Sequence, residues 1–273
     1  MEIIGAFALV LLALAIFGTP LVFLYQVIEA ICNYFLSDWW NRRLPFTPVD
    51  FQVKHYLEVN CAYYQHLNES ERTTFIKRVQ KFRRMKTFEG REGLYVTVEM
   101  ELLVCAAAVQ ITFGHPSVYF RHFKLIVLYP DVYYSTTTDA FHKGEVNTGG
   151  VIVLSWKNLL QGFTVQHDGI NLGLHEMAHA LKLVEHGGSR TGNFFDRKTF
   201  FQFMSHARAE MQRINENEVS LFRKYAATND HEFFAVAVEN FFERPKAFST
   251  LHPTLYDLLA GLMNQNPAIK RFS

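Results

Sequence analysis

The segment LGLHEMAHAL, Leu172 to Leu181, sets two imidazoles and a carboxylate, on His175, Glu176 and His179, into an otherwise apolar helical pattern. Residues four apart lie on one face of a helix, so both imidazoles can reach a single ion. Glu176 neighbours the first of them and can accept a proton from a water on the metal without ligating it. A chance HExxH match is expected in roughly one chain in a hundred of this length. The flanking Leu172, Leu174, Met177, Ala178 and Leu181 predict a buried helix, where such polar groups are costly without a partner. Any fold open to this chain must therefore bring a cation, and a further ligand for it, to this helix.

A catalytic zinc site needs a third protein ligand and one open position. The pattern HExxHxxGxxH is excluded, because Ala180 to Glu185 supply neither the glycine nor the third histidine. His186, seven residues past His179 and just before Gly187-Gly188, reads as a helix-end histidine. The segment YAATNDHEFFAVAVENFFERP, Tyr225 to Pro245, is the better source. Thr228 or Asn229 can cap a helix on which Glu232 and Glu239 fall seven residues apart, on one face. Phe233, Phe234, Val236, Phe241 and Phe242 make that helix otherwise apolar, so both carboxylates require partners. One on the metal and one bonded to a ligand histidine would satisfy both.

HEMAHAL followed some fifty residues later by YAATNDHEFFAVAVENFF resembles the Mlc titration factor A family of zinc peptidases. The Tyr-x6-Glu-Phe-Phe-Ala arrangement is also similar to the peptidase domain of anthrax lethal factor. The likeness extends upstream through RRMKTFEG, Arg83 to Gly90, and GGVIVLSW, Gly149 to Trp156, and so covers most of the chain after residue 60. It implies a zincin-like fold of the gluzincin type with one Zn2+ per chain. Its ligands would be His175, His179 and Glu232, with Glu176 as general base and Glu239 supporting a ligand histidine. It also implies Tyr225 as the group that stabilises the tetrahedral intermediate. Where the family pattern continues the motif helix with Gln and Asp, this chain has Ala180 and Lys182, which bears on substrate contacts near the helix end.

The N-terminus has a different character. From Ile3 to Tyr25 no residue is charged, and a run of that length can cross a bilayer as a helix. Glu2 at the start and the absence of a small-residue cleavage site argue against a signal peptide. Arg42 and Arg43 follow the run, beside Trp39 and Trp40, which places the downstream chain in the cytoplasm by the positive-inside rule. The organisation expected is a transmembrane anchor over residues 1–26, a juxtamembrane linker over 27–50 and a metallopeptidase domain over 51–273. The 27 basic and 26 acidic residues nearly cancel, which gives no electrostatic case for nucleic acid. Cys32, Cys61 and Cys105 form no CxxC pair and read as apolar residues in a reducing compartment.

Between anchor and motif, Asn68 to Met85 reads as a helix with Asn68 and Glu71 in capping-box spacing. Its segment KRVQKFRRMK, Lys77 to Lys86, is a solvated basic face or a contact for anionic lipid head groups. Thr97 to Ile111 continues as an apolar helix, while Phe123 to Leu128 and Val151 to Trp156 read as strands. VIVLSW is either an edge strand that aligns a peptide or an interior strand. The fold class expected is α+β, mainly helical with a small mixed sheet, preceded by one transmembrane helix. The function expected is zinc-dependent hydrolysis of peptide or protein substrates by a single-pass inner-membrane peptidase. The alternative is a non-catalytic tethered zinc module that recruits a regulatory protein. Glu176 and Tyr225 weigh against that, since a structural zinc site needs neither and is normally closed by four ligands.

Overall fold

The computed structural model describes residues 49–115, 118–135, 139–186 and 195–269. Helix α1, Phe51–Asn60, starts at Asp50, whose carboxylate accepts from the Gln52 amide. After the short α2, Ala62–Gln65, comes α3, Glu69–Arg84. Asn68 and Glu71 form the expected capping box there, each side chain accepting from the other's amide at 2.9 and 3.0 Å. Strand β1, Thr87–Gly90, leads to α4, Val98–Thr112, capped by Thr97. Every residue of α4 from Leu102 to Thr112 is buried, so this helix forms the centre of the core. Next come β2, Leu125–Tyr129, a hairpin of β3, Tyr133–Ser135, and β4, Ala140–His142, and then β5, Gly144–Val146, and β6, Val151–Ser155.

The remaining elements are helical. Helix α5, Trp156–Thr164, is followed by α6, Leu172–His186, which carries the HExxH residues, and by α7, Arg197–Asn215. A 3-10 turn, Lys224–Thr228, precedes α8, Asp230–Glu243, whose cap is Asn229, one of the two residues expected there. Helices α9, Pro245–Leu251, and α10, Pro253–Met263, complete the domain, each with proline in its first turn.

Four strands form one mixed sheet in the order β1-β2-β6-β5, with β5 antiparallel to β6 and the other pairs parallel. VIVLSW is thus an interior strand over Val151–Ser155, and its Trp156 already belongs to α5. The edge on that side is β5, a three-residue strand too short to show a period of two in the sequence. The β5–β6 register pairs Gly144 with Leu154 and Val146 with Ile152 across the turn Asn147–Gly150. Gly150 holds that turn at φ +87°, a conformation that favours glycine.

Helix α6 packs between α4 and α8 and lies against β5 and β6. Close approach to α4 needs small side chains on both helices. Ala107 supplies one, and at Gly173 an added Cβ would come within 3.0 Å of the Ala107 methyl and 2.9 Å of Leu159. The α+β class with a small mixed sheet is what the sequence predicts. No helix among the described residues is long and apolar enough to cross a membrane, and the run Ile3–Tyr25 and residues 27–48 of the expected linker lie outside them.

The basic stretch of α3 does not form a free surface array. Arg78 is buried, and its guanidinium donates to the carbonyls of Thr112, Phe113 and His115, satisfying acceptors that the end of α4 leaves open. Lys86 Nζ donates to the carbonyls of Tyr119, Phe120 and Phe123, and Arg83 pairs with Glu101. Arg78 and Lys86 thus act as clamps on carbonyls rather than as contacts for lipid head groups. Replacing Asn68 with Ala removes one half of the capping box. It should cost about 1 kcal/mol, and so lower the melting temperature by roughly 2–4 °C, measured by a circular-dichroism melt.

Candidate metal centre

Three side chains expected to share an ion converge in the structure. The Nε2 atoms of His175 and His179 stand 3.1 Å apart. Glu232 Oε2 lies 3.1 Å from the first and 3.5 Å from the second. A tetrahedral ion with bonds of about 2.0–2.1 Å has ligand atoms about 3.3 Å apart, so this triangle matches such an ion. His175, His179 and Glu232 are also the one group of ligating side chains among the described residues whose donor atoms gather within 4.8 Å. His175 is buried, while His179 and Glu232 are partly exposed, so the triangle opens toward solvent on one side.

Each ligand is held by identifiable contacts. Helix α6 begins at Asn171, whose Oδ1 accepts from the Leu174 amide and whose carbonyl accepts from the His175 amide. His175 Nδ1 donates to Glu239 Oε1 at 2.6 Å, which fixes the tautomer and leaves Nε2 for the ion. Glu239 has no exposed surface. Its Oε1 also accepts from Arg223 Nη2 at 2.7 Å, and its Oε2 from Arg223 Nη1 and the Asn171 amide. Glu232 and Glu239 thus take the division expected of them, one at the ligand triangle and one behind a histidine.

The electrostatics favour a cation. Burial opposes the charged form of His175, yet the hydrogen bonds it donates to Glu232 and Glu239 raise its pKa to about 10. Against the upward pull of burial, His175 and His179 hold Glu232 well below the usual carboxylate range. Burial likewise opposes ionisation of Glu239, but His175 and Arg223 lower its pKa. Potential that binds a proton on His175 this firmly would also favour a metal ion at the same atoms.

Glu176 lies beside the triangle but outside it. It is buried, and burial raises its pKa despite the two histidines. Its carboxylate rests against Gly144 of β5, where an added Cβ would overlap it. Tyr225 sits on the open side, half exposed, its ring centroid 6.1 Å from that of His175. Burial, then the charge and hydrogen bond of Glu232, raise its phenol pKa to about 12. Arg223 and Asn171 were not singled out from the sequence: both lie outside the regular helices, and no local pattern ties them to Glu239. The two departures from the family pattern point elsewhere, since Ala180 is fully buried and Lys182 Nζ donates to the Asp230 carbonyl. His186 ends α6, as the sequence suggests.

With the ligand triangle set beside this helix pair, comparison with known proteins becomes decisive. Residues 36–263 match the profile of the glucose-regulated metallo-peptidase M90 family. The chain belongs to this family. Among its relatives is Mlc titration factor A of Serratia proteamaculans, 28% identical over 225 residues, covering 74% of this chain and 82% of that protein. The Escherichia coli protein of the same name is 24% identical over 225 residues, covering 74% of this chain and 82% of its own. An uncharacterized Synechocystis protein is 25% identical over 248 residues, covering 85% of this chain and 90% of its own. Membership in the M90 family makes this a metallopeptidase-like domain, and His175, His179 and Glu232 are side chains that could hold its metal.

A metal that binds the folded state and not the unfolded chain stabilises the fold by mass action. Stripping the purified protein with a chelator should therefore lower its melting temperature, and stoichiometric divalent metal should restore it. A chelator-insensitive melt, read by differential scanning fluorimetry, would speak against this centre.

Proposed function

We propose that the protein is a zinc-dependent peptidase in which His175, His179 and Glu232 hold the ion and Glu176 is the general base. The observation that carries this reading is the position of Glu176, buried beside the ligand triangle yet outside it, facing a sheet edge. Two imidazoles and one carboxylate with an open side are the donor set of a catalytic zinc. Zinc, when bound, supplies Lewis acidity that lowers the pKa of a water and polarises a carbonyl.

The protein's own groups do the rest. The edge of β5 offers backbone amides and carbonyls to an extended peptide, which strand addition would lay beside Glu176. Glu176 takes a proton from the attacking water and passes it to the leaving amine. Burial, which raises its pKa, strengthens it as a proton acceptor. The Tyr225 hydroxyl, on the open side, donates to the oxyanion as it develops. Arg223 and Glu239 keep His175 oriented throughout.

The relatives' name, Mlc titration factor A, supports a regulatory protein as partner. The uncharged run Ile3–Tyr25 supports tethering of a domain starting near residue 51 to the inner membrane, on the cytoplasmic side.

Metal analysis by mass spectrometry should give about one zinc per chain. Glu232→Ala should lose most of it, and Glu239→Ala less, because Glu239 acts only through His175. The reverse order would reassign the ligands. In a peptide-library digest, Glu176→Gln should retain zinc and lose activity by at least about 10²-fold. Tyr225→Phe should lower kcat by about 10²-fold with little change in KM. Full activity in Glu176→Gln would overturn the mechanism. On cell fractionation the full chain should sediment with membranes and resist salt extraction; recovery in the soluble fraction would remove the anchor.

A further inference from the structure

A cavity of about 70 Å³ lies apart from the ligand triangle. Its walls come from α2, the loop joining α5 to α6, the end of α8 and the segment after α10. That is several times the roughly 10–15 Å³ that one water needs, room for the head and short chain of a small ligand. Tyr63, Phe163 and Phe242 give it aromatic faces, and Asn171, Gln265 and Glu243 give it polar ones.

The polar groups are not equivalent. Tyr63 donates its hydroxyl to Gln265 Oε1 at 2.6 Å, and Gln265 Nε2 donates to the Gln110 carbonyl, so these groups are engaged with the protein. Glu243 is 8% exposed and receives only neutral donors, the Asn171 amide nitrogen at 3.0 Å and the His167 backbone amide at 2.9 Å. The adjoining Arg244 directs its guanidinium to Asn240 Oδ1 and the Leu221 carbonyl instead. Among the described residues Glu243 makes no ion pair, although the other two buried glutamates of α8 and α7, Glu239 and Glu210, each pair with an arginine. Burial raises its pKa and Asp168 adds to that, against the opposing pull of its hydrogen bonds from Asn171 and His167 and of the His167 ring.

A carboxylate removed from water, given neutral hydrogen bonds and flanked by aromatic rings, is suited to an organic cation. An ammonium or guanidinium group would add the charge-assisted bond Glu243 lacks, and the rings would favour the positive charge. We propose that this cavity is a binding site for a small organic cation whose ammonium or guanidinium head pairs with Glu243. Asn171 connects this wall to the metal centre, since its Nδ2 donates to Glu243 and its backbone amide to Glu239.

The test is isothermal titration calorimetry on the metal-loaded full chain with n-pentylamine, n-butylguanidine and, as the neutral comparison, pentanamide. At least one of the two cations should bind saturably at one site per chain and more tightly than pentanamide, and the tighter cation identifies the head group. Glu243→Gln keeps the side-chain shape and should weaken the cation by about tenfold or more, with pentanamide unchanged. Ala62→Trp, which fills the mouth from α2 and leaves Glu243 intact, should abolish binding, with metal content unchanged in both variants. Absence of saturable binding, equal affinity for amine and amide, or undiminished binding in Glu243→Gln would overturn the proposal. Should Glu243→Gln fail to fold, the amine–amide comparison on the native chain and the Ala62→Trp variant decide it.

Discussion

Glu239 is a carboxylate that water does not reach, and the organisation of the metal centre follows from how its charge is met. Removing such a group from water costs several kcal/mol unless partners restore what hydration supplied. Here three partners do so from three different parts of the chain: His175 from α6, Arg223 from the approach to the 3-10 turn, and the amide of Asn171 from the loop before α6. The same contacts fix the ring of His175. A ligand imidazole that must point one nitrogen at a metal is held by the bond its other nitrogen makes, so the core pairing and the metal geometry are one arrangement.

This coupling explains why the helix pair is so apolar elsewhere. Helix α8 is buried from Phe233 to Glu243, and α4 is buried from Leu102 to Thr112, with α6 between them. Glu232 and Glu239 of α8 and His175 and His179 of α6 face one another across this apolar packing. Arg78 plays a comparable role at the periphery, closing the carbonyl end of α4 with a buried guanidinium. At these two places internal charge closes a helix end or orients a ligand.

Much of this was legible in the sequence because it is encoded locally. Caps at Asn68, Thr97 and Asn229 lie within three residues of the amides they satisfy, and the i, i+4 and i, i+7 spacings of the histidines and glutamates survive any packing of the helices that carry them. What was not legible depends on contacts between distant segments. Strands β1 and β3 to β5 are three or four residues long and owe their existence to partners elsewhere in the chain. VIVLSW carries no mark that distinguishes an interior strand from an edge, because that is decided by where β5 returns. Lys77 to Lys86 looks like a surface in sequence, and only the fold shows that Arg78 and Lys86 face carbonyls. Arg223 and Asn171 gain their roles from loop paths that no periodicity encodes.

The contact between Gly144 and the Glu176 carboxylate ties the length of a surface turn to the chemistry of a buried group. Gly144 pairs with Leu154 only because four residues, Asn147–Gly150, close the hairpin between β5 and β6. Side chains alternate along a strand, so a register slip of one residue would bring Lys143 or Glu145 to the place where only hydrogen fits. An insertion in that hairpin, ordinarily among the best tolerated changes in a protein, would here press a side chain onto Glu176. The span of an exposed turn thus sets how much room a buried acid has, a dependence that runs from the surface inward.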